Sequence, residues 1–197
     1  KYIEKKINFK LDRKFAVVTF HSETLSTLRP EKIFTNLLKS LEKFRDLKVI
    51  FTCPNIDEKN KELINQINRF VKKNSKKSIF VPSLGRSIYL SCINYASVII
   101  GNSSSGIIEA PSFRVPVVNI GERQRGRIIS KNIIMSDFQT KNIVAAIKKS
   151  FNNKFLHSIR NLKNPYGNGT ASKKIVKELK RIKLKNILKK EFYEIKF

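Results

Sequence analysis

The stretch from Ser97 to Arg127 constrains the fold more than any other part of the sequence; it reads SVIIGNSSSGIIEAPSFRVPVVNIGERQRGR. A short apolar, β-branched run ends at Gly101, and small residues follow before apolar residues recur at helical spacing. A second apolar run, Val115–Ile120, comes after the helical pattern and also ends at a glycine. This order predicts strand, turn, helix and strand, the repeating unit of parallel sheets.

The turn between the first strand and the helix has the composition of an anion site. Backbone N–H groups at a helix start have no intrahelical partner, and the helix dipole adds partial positive charge there. Ser103 and Ser104 can donate to phosphate oxygens, with Gly101, Ser105 and Gly106 supporting the loop. A serine that merely caps the helix would give the same pattern, so the turn alone leaves both interpretations open.

Two further features favour a ligand at this turn. Glu109 lies one turn into the helix, where a carboxylate can accept hydrogen bonds from both hydroxyls of a ribose. A loop carrying Arg123, Arg125 and Arg127 follows the second strand. Both loops should leave the carboxyl edge of the sheet, where open α/β folds bind their ligands. A nucleoside diphosphate would supply the anion and the ribose together.

These residues carry a resemblance to a known family. The segments Gly-Asn-Ser-Ser-Ser-Gly at 101–106, Glu-Ala-Pro at 109–111 and Gly-Glu-Arg-Gln-Arg-Gly-Arg at 121–127 resemble the C-terminal domain of the UDP-N-acetylglucosamine 2-epimerases. The non-hydrolysing branch typically has an Asp-Ser-Gly-Gly type of turn and lacks the Arg-Gln-x-Gly-Arg loop, so the match is to the hydrolysing branch. The resemblance covers about residues 8–180. It implies that UDP is bound by His21, Asn55, Val81, Ser103, Ser104, Glu109 and Arg123.

His21 follows the apolar run Phe15–Phe20, which predicts a buried strand. A lone histidine in that place is more often a hydrogen-bonding surface residue than a ligand. Thr19-Phe20-His21 matches the family's Thr-x-His, which implies that His21 contacts the nucleotide or the leaving phosphate and acts catalytically on the leaving-group side. The next residue, Ser22, departs from the proline that relatives commonly have there.

Asn55 and Val81 follow the next two predicted strands, Lys48–Thr52 and Ile79–Val81. From the residues alone, Asn55 in Cys-Pro-Asn-Ile-Asp is either an Asx turn that caps a helix or a residue facing the ligand. The resemblance places Asn55 in the nucleotide-contacting loop. It also implies that the backbone at Val81 reads the uracil base.

The resemblance further implies a reaction and the parts that this chain lacks. In the family, anti-elimination of UDP gives a glycal, and addition of water then releases N-acetylmannosamine. The carboxylates that handle the sugar belong to an N-terminal domain absent from these residues, and the full-length protein is expected to form a homo-oligomer. UDP-sugar is the substrate, no other cofactor is expected, and no Asp-rich cluster suggests a metal.

Five or six short strands alternating with helices predict a Rossmann-like, doubly wound parallel sheet. The resemblance makes this sheet one half of a glycosyltransferase-B-like, two-domain enzyme. We expect a linker or the end of a preceding domain at 1–14, the nucleotide-binding domain at 15–185 and a basic tail at 186–197. Pro111, inside the helical pattern after the serine turn, predicts a short or kinked helix.

The formal net charge of +26 is the most unusual global property and raises the question of nucleic acid as a partner. The lysines are spread along the whole chain, however, and the sequence has no basic motif interleaved with aromatic residues of the kind that RNA-binding sheets use. No apolar run approaches the roughly 18 residues of a membrane helix, and no signal peptide is visible, which predicts a cytoplasmic protein. Cys53 and Cys92 lack metal-ligand spacing and are predicted to be two buried thiols.

Two other functions stay open at this stage. A glycosyltransferase would share the nucleotide-binding half but transfer the sugar to an acceptor, and the Arg-Gln-x-Gly-Arg loop favours the epimerase over it. A non-enzymatic basic binding module would explain the charge without any nucleotide site. The identity of the sugar is not encoded here, because the contacts to the sugar belong mainly to the other half.

Overall fold

The computed structural model describes residues 1–23, 29–54 and 60–182. Its centre is a parallel sheet with the strand order β3-β2-β1-β4-β5-β6. The strands are β1 (Phe15–Thr19), β2 (Lys48–Phe51), β3 (Ser78–Phe80), β4 (Val98–Gly101), β5 (Val117–Ile120) and β6 (Ile133–Ser136). The order reverses between β1 and β4, which makes the fold doubly wound, as the sequence predicts.

Helices cover both faces of the sheet. In chain order, the helices of the described residues are α1 (Tyr2–Ile7), α2 (Pro30–Glu42), α3 (Lys61–Lys73), α4 (Gly85–Tyr95), α5 (Ser104–Ile108), α6 (Ala110–Phe113), α7 (Thr140–Ser150), α8 (Asn153–Ile159) and, in a separate unit, α9 (Ala171–Arg181). Successive strand residues point to opposite faces, so Val18 packs in one hydrophobic cluster with Leu37, and Val17 packs in the other with Ile93. Burial on both faces explains why the strands read as unbroken apolar runs rather than alternating ones.

Helix α1 is an element that the sequence analysis did not predict. Residues 1–14 are rich in lysine, and within the helix only Ile3 and Ile7 are apolar residues one turn apart. Both side chains are buried in the cluster that contains Ile93 of α4, and Phe9 and Leu11 pack against the same cluster. These apolar contacts hold the basic segment on the domain.

Pro111 divides the helix after the serine turn into two pieces. Helix α5 ends at Ile108, and Pro111 is the second residue of α6. In the first turn of a helix the missing N–H of proline costs nothing, because that group would have no partner there. The prediction of a short or kinked helix is confirmed.

The chain divides into two units, Lys1–Pro165 and Tyr166–Phe197. Within the second, α9 carries Ile175, Val176 and Leu179 along one side of the helix. The predicted basic tail lies outside the described residues. None of the helices that the structure describes is long and apolar enough to cross a membrane.

Both cysteines are free thiols. Cys92 is fully buried in α4, and burial raises its pKa to about 11, which keeps the thiol protonated and unreactive at neutral pH. Cys53 is only half-buried, so the prediction of two buried thiols is wrong for that residue. It lies just after β2, between the buried residues Thr52 and Pro54.

Candidate functional site

The strands β1 and β4 are neighbours at the point where the strand order reverses. Their last paired residues are Thr19 and Gly101. Gly101 has φ +135°, and a Cβ there would overlap the carbonyl oxygen of Thr19. Only glycine allows the two strands to approach this closely. The segments that follow β1 and β4 therefore leave the sheet side by side.

The serine turn follows β4. Ser103 caps α5, and its side chain accepts a hydrogen bond from the Ser105 N–H at 3.4 Å. The Tyr89 hydroxyl donates to Ser105 Oγ at 2.7 Å, and burial raises the pKa of Tyr89, so this donor stays protonated at neutral pH. Within the described residues the half-buried Ser104 hydroxyl makes no hydrogen bond, which leaves it available to a ligand.

The helix that begins at this turn is too short for the dipole argument of the sequence analysis. Helix α5 has only five residues and ends before Glu109. The macrodipole sums over aligned peptide units, so five residues supply little of it. Anion binding here must depend on individual donors. Gly106 lies against β5, where a Cβ would come within 2.9 Å of Val117 Cγ1, and this contact fixes the turn on the sheet.

Asn102 joins the serine turn to the loop after β1. Its Oδ1 accepts from the His21 N–H at 2.8 Å, and its Nδ2 donates to the His21 carbonyl at 2.9 Å. Asn102 is fully buried, whereas His21 is half-buried. The pair of bonds holds the histidine backbone beside the serines, where the sequence analysis expected His21 to lie.

The arginine loop after β5 reaches the same point. Arg123 Nη1 donates to the Asn102 carbonyl at 3.3 Å, and the buried Gln124 donates to the same oxygen at 2.7 Å. The Arg123 N–H donates to the Glu23 carboxylate at 3.3 Å. Arg125 instead pairs with Glu122 on the surface. Of the two, only Arg123 is bonded to the serine turn.

Glu109 lies at the junction of α5 and α6 and is half-buried. Its N–H donates to the Ser105 carbonyl at 2.9 Å, and the Ser112 N–H donates to the Glu109 carbonyl at 3.0 Å. The negative charge of Glu109 also contributes to the raised pKa of Tyr89, after the larger effect of burial. Glu109 therefore lies one turn beyond the serines, with its backbone bonded to that of Ser105.

The remaining predicted residues belong to the other half of the sheet edge. Val81 follows β3, the outer strand, and its N–H donates to the Phe51 carbonyl at 2.9 Å. It lies on the ligand edge but takes no part in the Asn102 hydrogen bonds. Asn55 lies outside the described residues, so its predicted contact remains a prediction.

Three residues of this arrangement were not singled out from the sequence: Asn102, Glu23 and Gln124. Asn102 lies inside the motif at 101–106, but only the serines of that motif were predicted to be ligand groups. Its full burial could have been suspected from its place directly after a buried strand. The roles of Glu23 and Gln124 arise from contacts 79 and 22 residues away in the chain, which a single sequence does not encode.

The structure also bears on metal binding. Among the described residues, no group of three or more His, Cys, Asp and Glu side chains is placed to hold a metal ion. Arg123 brings a positive charge to this edge through its bond to the Asn102 carbonyl.

Comparison with known proteins gives consistent matches. The family model described as UDP-N-acetylglucosamine 2-epimerase matches residues 1–180. A GDP/UDP-N,N'-diacetylbacillosamine 2-epimerase (hydrolyzing) of Campylobacter jejuni is 40% identical over 99% of this chain and 50% of its own length. A polysialic acid biosynthesis protein of Escherichia coli is 35% identical over 93% of the chain and 47% of its own length. The chain therefore spans about half the length of the curated relatives it matches.

The fold also matches solved structures. A Neisseria meningitidis UDP-GlcNAc 2-epimerase, solved bound to UDP-GlcNAc, superposes with a TM-score of 0.65 at 18% identity. The match covers 92% of this chain and 48% of that one. At this identity the likeness establishes the fold.

Proposed function

The chain belongs to the UDP-N-acetylglucosamine 2-epimerase family, and we propose that it forms the UDP-binding half of a hydrolysing 2-epimerase. The observation that carries the proposal is the convergence of three loops on Asn102. That convergence places His21, the Ser103–Ser104 turn and Arg123 at one edge of the sheet. An imidazole, hydroxyl donors and a guanidinium are the groups that stabilise a departing diphosphate.

The proposed ligand fits the sheet edge from pyrophosphate to base. The diphosphate lies at Ser103 and Ser104 with Arg123, and the ribose hydroxyls bind Glu109. The uracil is held by main-chain groups at Val81, whose carbonyl is not used by the Phe51 bond. No metal is needed in this proposal, because a guanidinium and oriented donors supply the stabilisation that a cation would otherwise give.

The proposed reaction has two steps. A base removes the proton from sugar C2 while the C1–O bond to UDP breaks on the opposite side, which forms the C1–C2 double bond of a glycal. Water then adds across that bond, with hydroxyl at C1 and a proton at C2 in the inverted configuration. The groups in this chain act on the departing UDP. The base and acid that act on the sugar are proposed to come from the remaining half that the relatives have.

Calorimetry with UDP tests the binding site. We expect the double variant Ser104→Ala/Arg123→Ala to lose at least about 100-fold in affinity, since each charge-assisted bond is worth about 1.5–3 kcal/mol. The matched control is Ser91→Ala/Arg13→Ala, which removes the same two side-chain types at the other end of the sheet and should bind UDP as the unsubstituted chain does. Unchanged affinity in the first variant would show that the site is misplaced.

Turnover tests the division of labour between the two halves. The chain alone, mixed with UDP-N-acetylglucosamine, should bind the nucleotide but release no UDP in a coupled assay, because no base is positioned at C2. Closure of a second domain would also be needed to exclude water until the glycal is hydrated. Release of UDP with N-acetylmannosamine as product, at a rate near that of a full-length relative, would contradict this division.

A further inference from the structure

Every hydrogen-bonding group of Asn102 has a partner. The N–H donates to the Thr19 carbonyl at 3.2 Å, and the side-chain amide bonds both main-chain groups of His21. The Nδ2 group also donates to Glu23 Oε1 at 3.3 Å, and the Asn102 carbonyl accepts from Arg123 and Gln124. The residue has no exposed surface. A buried amide satisfied in this way has one orientation, because any rotation would leave polar groups without partners.

The two bonds to His21 continue the sheet beyond its last strand pair. The β1–β4 pairing ends at Thr19 and Gly101, one residue before Asn102. The side-chain amide then takes the place of a backbone peptide and bonds the N–H and carbonyl of the same residue. With both groups held, the backbone of His21 is fixed, and the direction in which its imidazole leaves the backbone is fixed with it.

Glu23 extends this arrangement to the arginine loop. Its Oε1 accepts from Asn102 Nδ2 and from the Arg123 N–H, both at 3.3 Å. The guanidinium of Arg123 in turn donates a hydrogen bond to the Asn102 carbonyl. The loop after β1, the serine turn and the loop after β5 are thereby connected in a closed ring of hydrogen bonds before any ligand arrives.

We propose that Asn102 is a positioning residue that presets His21 and Arg123 around the serine turn, so that a diphosphate binds without the cost of ordering these loops. This inference rests on the proposed function. Asn102 acts on the ligand only through His21 and Arg123. Preset groups bind more tightly because ordering costs of about 0.5–1.5 kcal/mol per side chain are already met in the free protein.

The plain alternative is that Asn102 only stabilises the fold, and the chain supplies a matched control for it. Asn132 is also fully buried, and its Nδ2 donates to the Val115 carbonyl at 2.7 Å, between the amino ends of β5 and β6. Among the described residues Asn132 Oδ1 has no hydrogen-bond partner, so Asn132→Ala removes a buried amide that makes a single side-chain bond, away from the ligand edge. It should change the free energy of unfolding less than Asn102→Ala does, and only Asn102→Ala should change the ligand edge.

Amide hydrogen exchange in the ligand-free chain tests the positioning directly. In Asn102→Ala the His21 N–H loses its acceptor, and its exchange should accelerate at least about tenfold beyond any change at Val18 and Ile100, which report global opening. Asn132→Ala should change all three amides in parallel. This measurement needs no ligand, so it decides the positioning claim even if UDP does not bind and the proposed function fails.

A charge-conserving exchange of partners tests the coupling to the ligand. Asn102→Asp places a second carboxylate beside that of Glu23, and the two repel each other. We expect this variant to bind UDP at least about tenfold, or ~1.4 kcal/mol, more weakly. Asn102→Asp/Glu23→Gln restores a donor and an acceptor with the original net charge, and it should regain part of that loss. Glu23→Gln alone completes the cycle. The proposal is overturned if His21 exchange in Asn102→Ala follows global opening, or if the double variant binds no better than Asn102→Asp while the unsubstituted chain binds UDP.

Discussion

The carboxyl and amino edges of the sheet differ in the residues that line them and in the interactions that these residues make. At the carboxyl ends of the strands, the ligand edge, loops are joined by hydrogen bonds to the buried, neutral residue Asn102. At the amino ends, the basic edge, a cavity of about 540 Å³ is lined by two aspartates and by Arg13, Arg45, Lys48, Lys73, Lys76 and Lys77. Its aspartates are already paired, Asp46 with Arg13 and Asp12 with Lys48.

The difference between the two edges indicates that the high net charge of the chain is not what forms the candidate site at the ligand edge. The charge of +26 is spread over surfaces such as the basic edge, where the Arg13–Asp46 pair is exposed to solvent and therefore weak. The ligand edge relies on few charges whose positions are fixed. Long-range attraction is screened within about 8 Å at physiological salt, whereas a buried hydrogen bond is not. The contrast predicts that substitutions at the ligand edge act strongly and that those at the basic edge act weakly.

The largest effect is expected where the ligand edge begins. Gly101→Ala should lower the free energy of unfolding by at least about 3 kcal/mol, because the new Cβ meets the Thr19 backbone and the φ of +135° is strained for any other residue. Urea denaturation measures it. Gly126→Ala is the control: its φ is +83° but no atom lies within 4 Å of the Cβ, so it should cost only about 1–2 kcal/mol. Equal costs would mean that the close approach of β1 and β4 is not required.

Glu109→Gln should separate the two parts of the ligand. We expect UDP affinity to fall about tenfold or more while the affinity for free pyrophosphate stays unchanged or rises, because a carboxylate accepts two ribose hydroxyls and an amide only one. Calorimetry with both ligands on one protein sample measures the difference. An equal loss for UDP and pyrophosphate would place Glu109 elsewhere than at the ribose.

Substitution at the basic edge should leave nucleotide binding almost unchanged. The two edges are separated by the strands, about 15 Å for five residues, which exceeds the screening length. Arg45→Ala/Lys76→Ala should therefore change UDP affinity by less than about twofold at 0.15 M salt. A tenfold loss in the same titration would show that the overall charge, rather than the preset donors, attracts the ligand.

The smallest effect is expected for one lysine of the basic edge. Burial lowers the pKa of Lys77, and Arg45 and Lys73 act in the same direction while Glu42 opposes them. Because the charged form is disfavoured in the folded state, Lys77→Gln should raise the free energy of unfolding at pH 7 by a few tenths of a kcal/mol. The gain should disappear as the pH approaches the ordinary lysine pKa, where the unsubstituted lysine is neutral in the folded chain. Destabilisation at pH 7 would contradict this account.

The same contrast explains what the sequence could predict. Buried strands between two helical layers must be continuously apolar, so β1, β4 and β5 are recognisable within two residues of their observed bounds. The serine turn and the arginine loop are recognisable because local motifs carry them. Pro111 likewise indicated the break between α5 and α6.

What the sequence could not predict depends on contacts between distant residues. Glu23 reads as an ordinary loop residue until β1 and β5 bring it to Arg123, 100 residues later in the chain. The place of Asn102 directly after a buried strand is recognisable, but its bonds to His21 and Glu23, 81 and 79 residues away in the chain, are not. Helix α1 was missed for a related reason: its lysines mask two isoleucines whose partner, α4, lies some 80 residues away.

The most direct test of the account is a map of the UDP contacts by amide chemical shifts in the ligand-free and saturated chain. We expect the largest changes at His21, Ser104 and Arg123, smaller ones at Val81, and none beyond noise at the basic edge. When the chain is saturated with pyrophosphate instead of UDP, the shift changes at His21, Ser104 and Arg123 should appear again and the change at Val81 should not. Largest changes at Arg45, Lys76 and Lys77, with His21 and Ser104 unmoved, would contradict the claim that the nucleotide binds at the carboxyl ends of the strands.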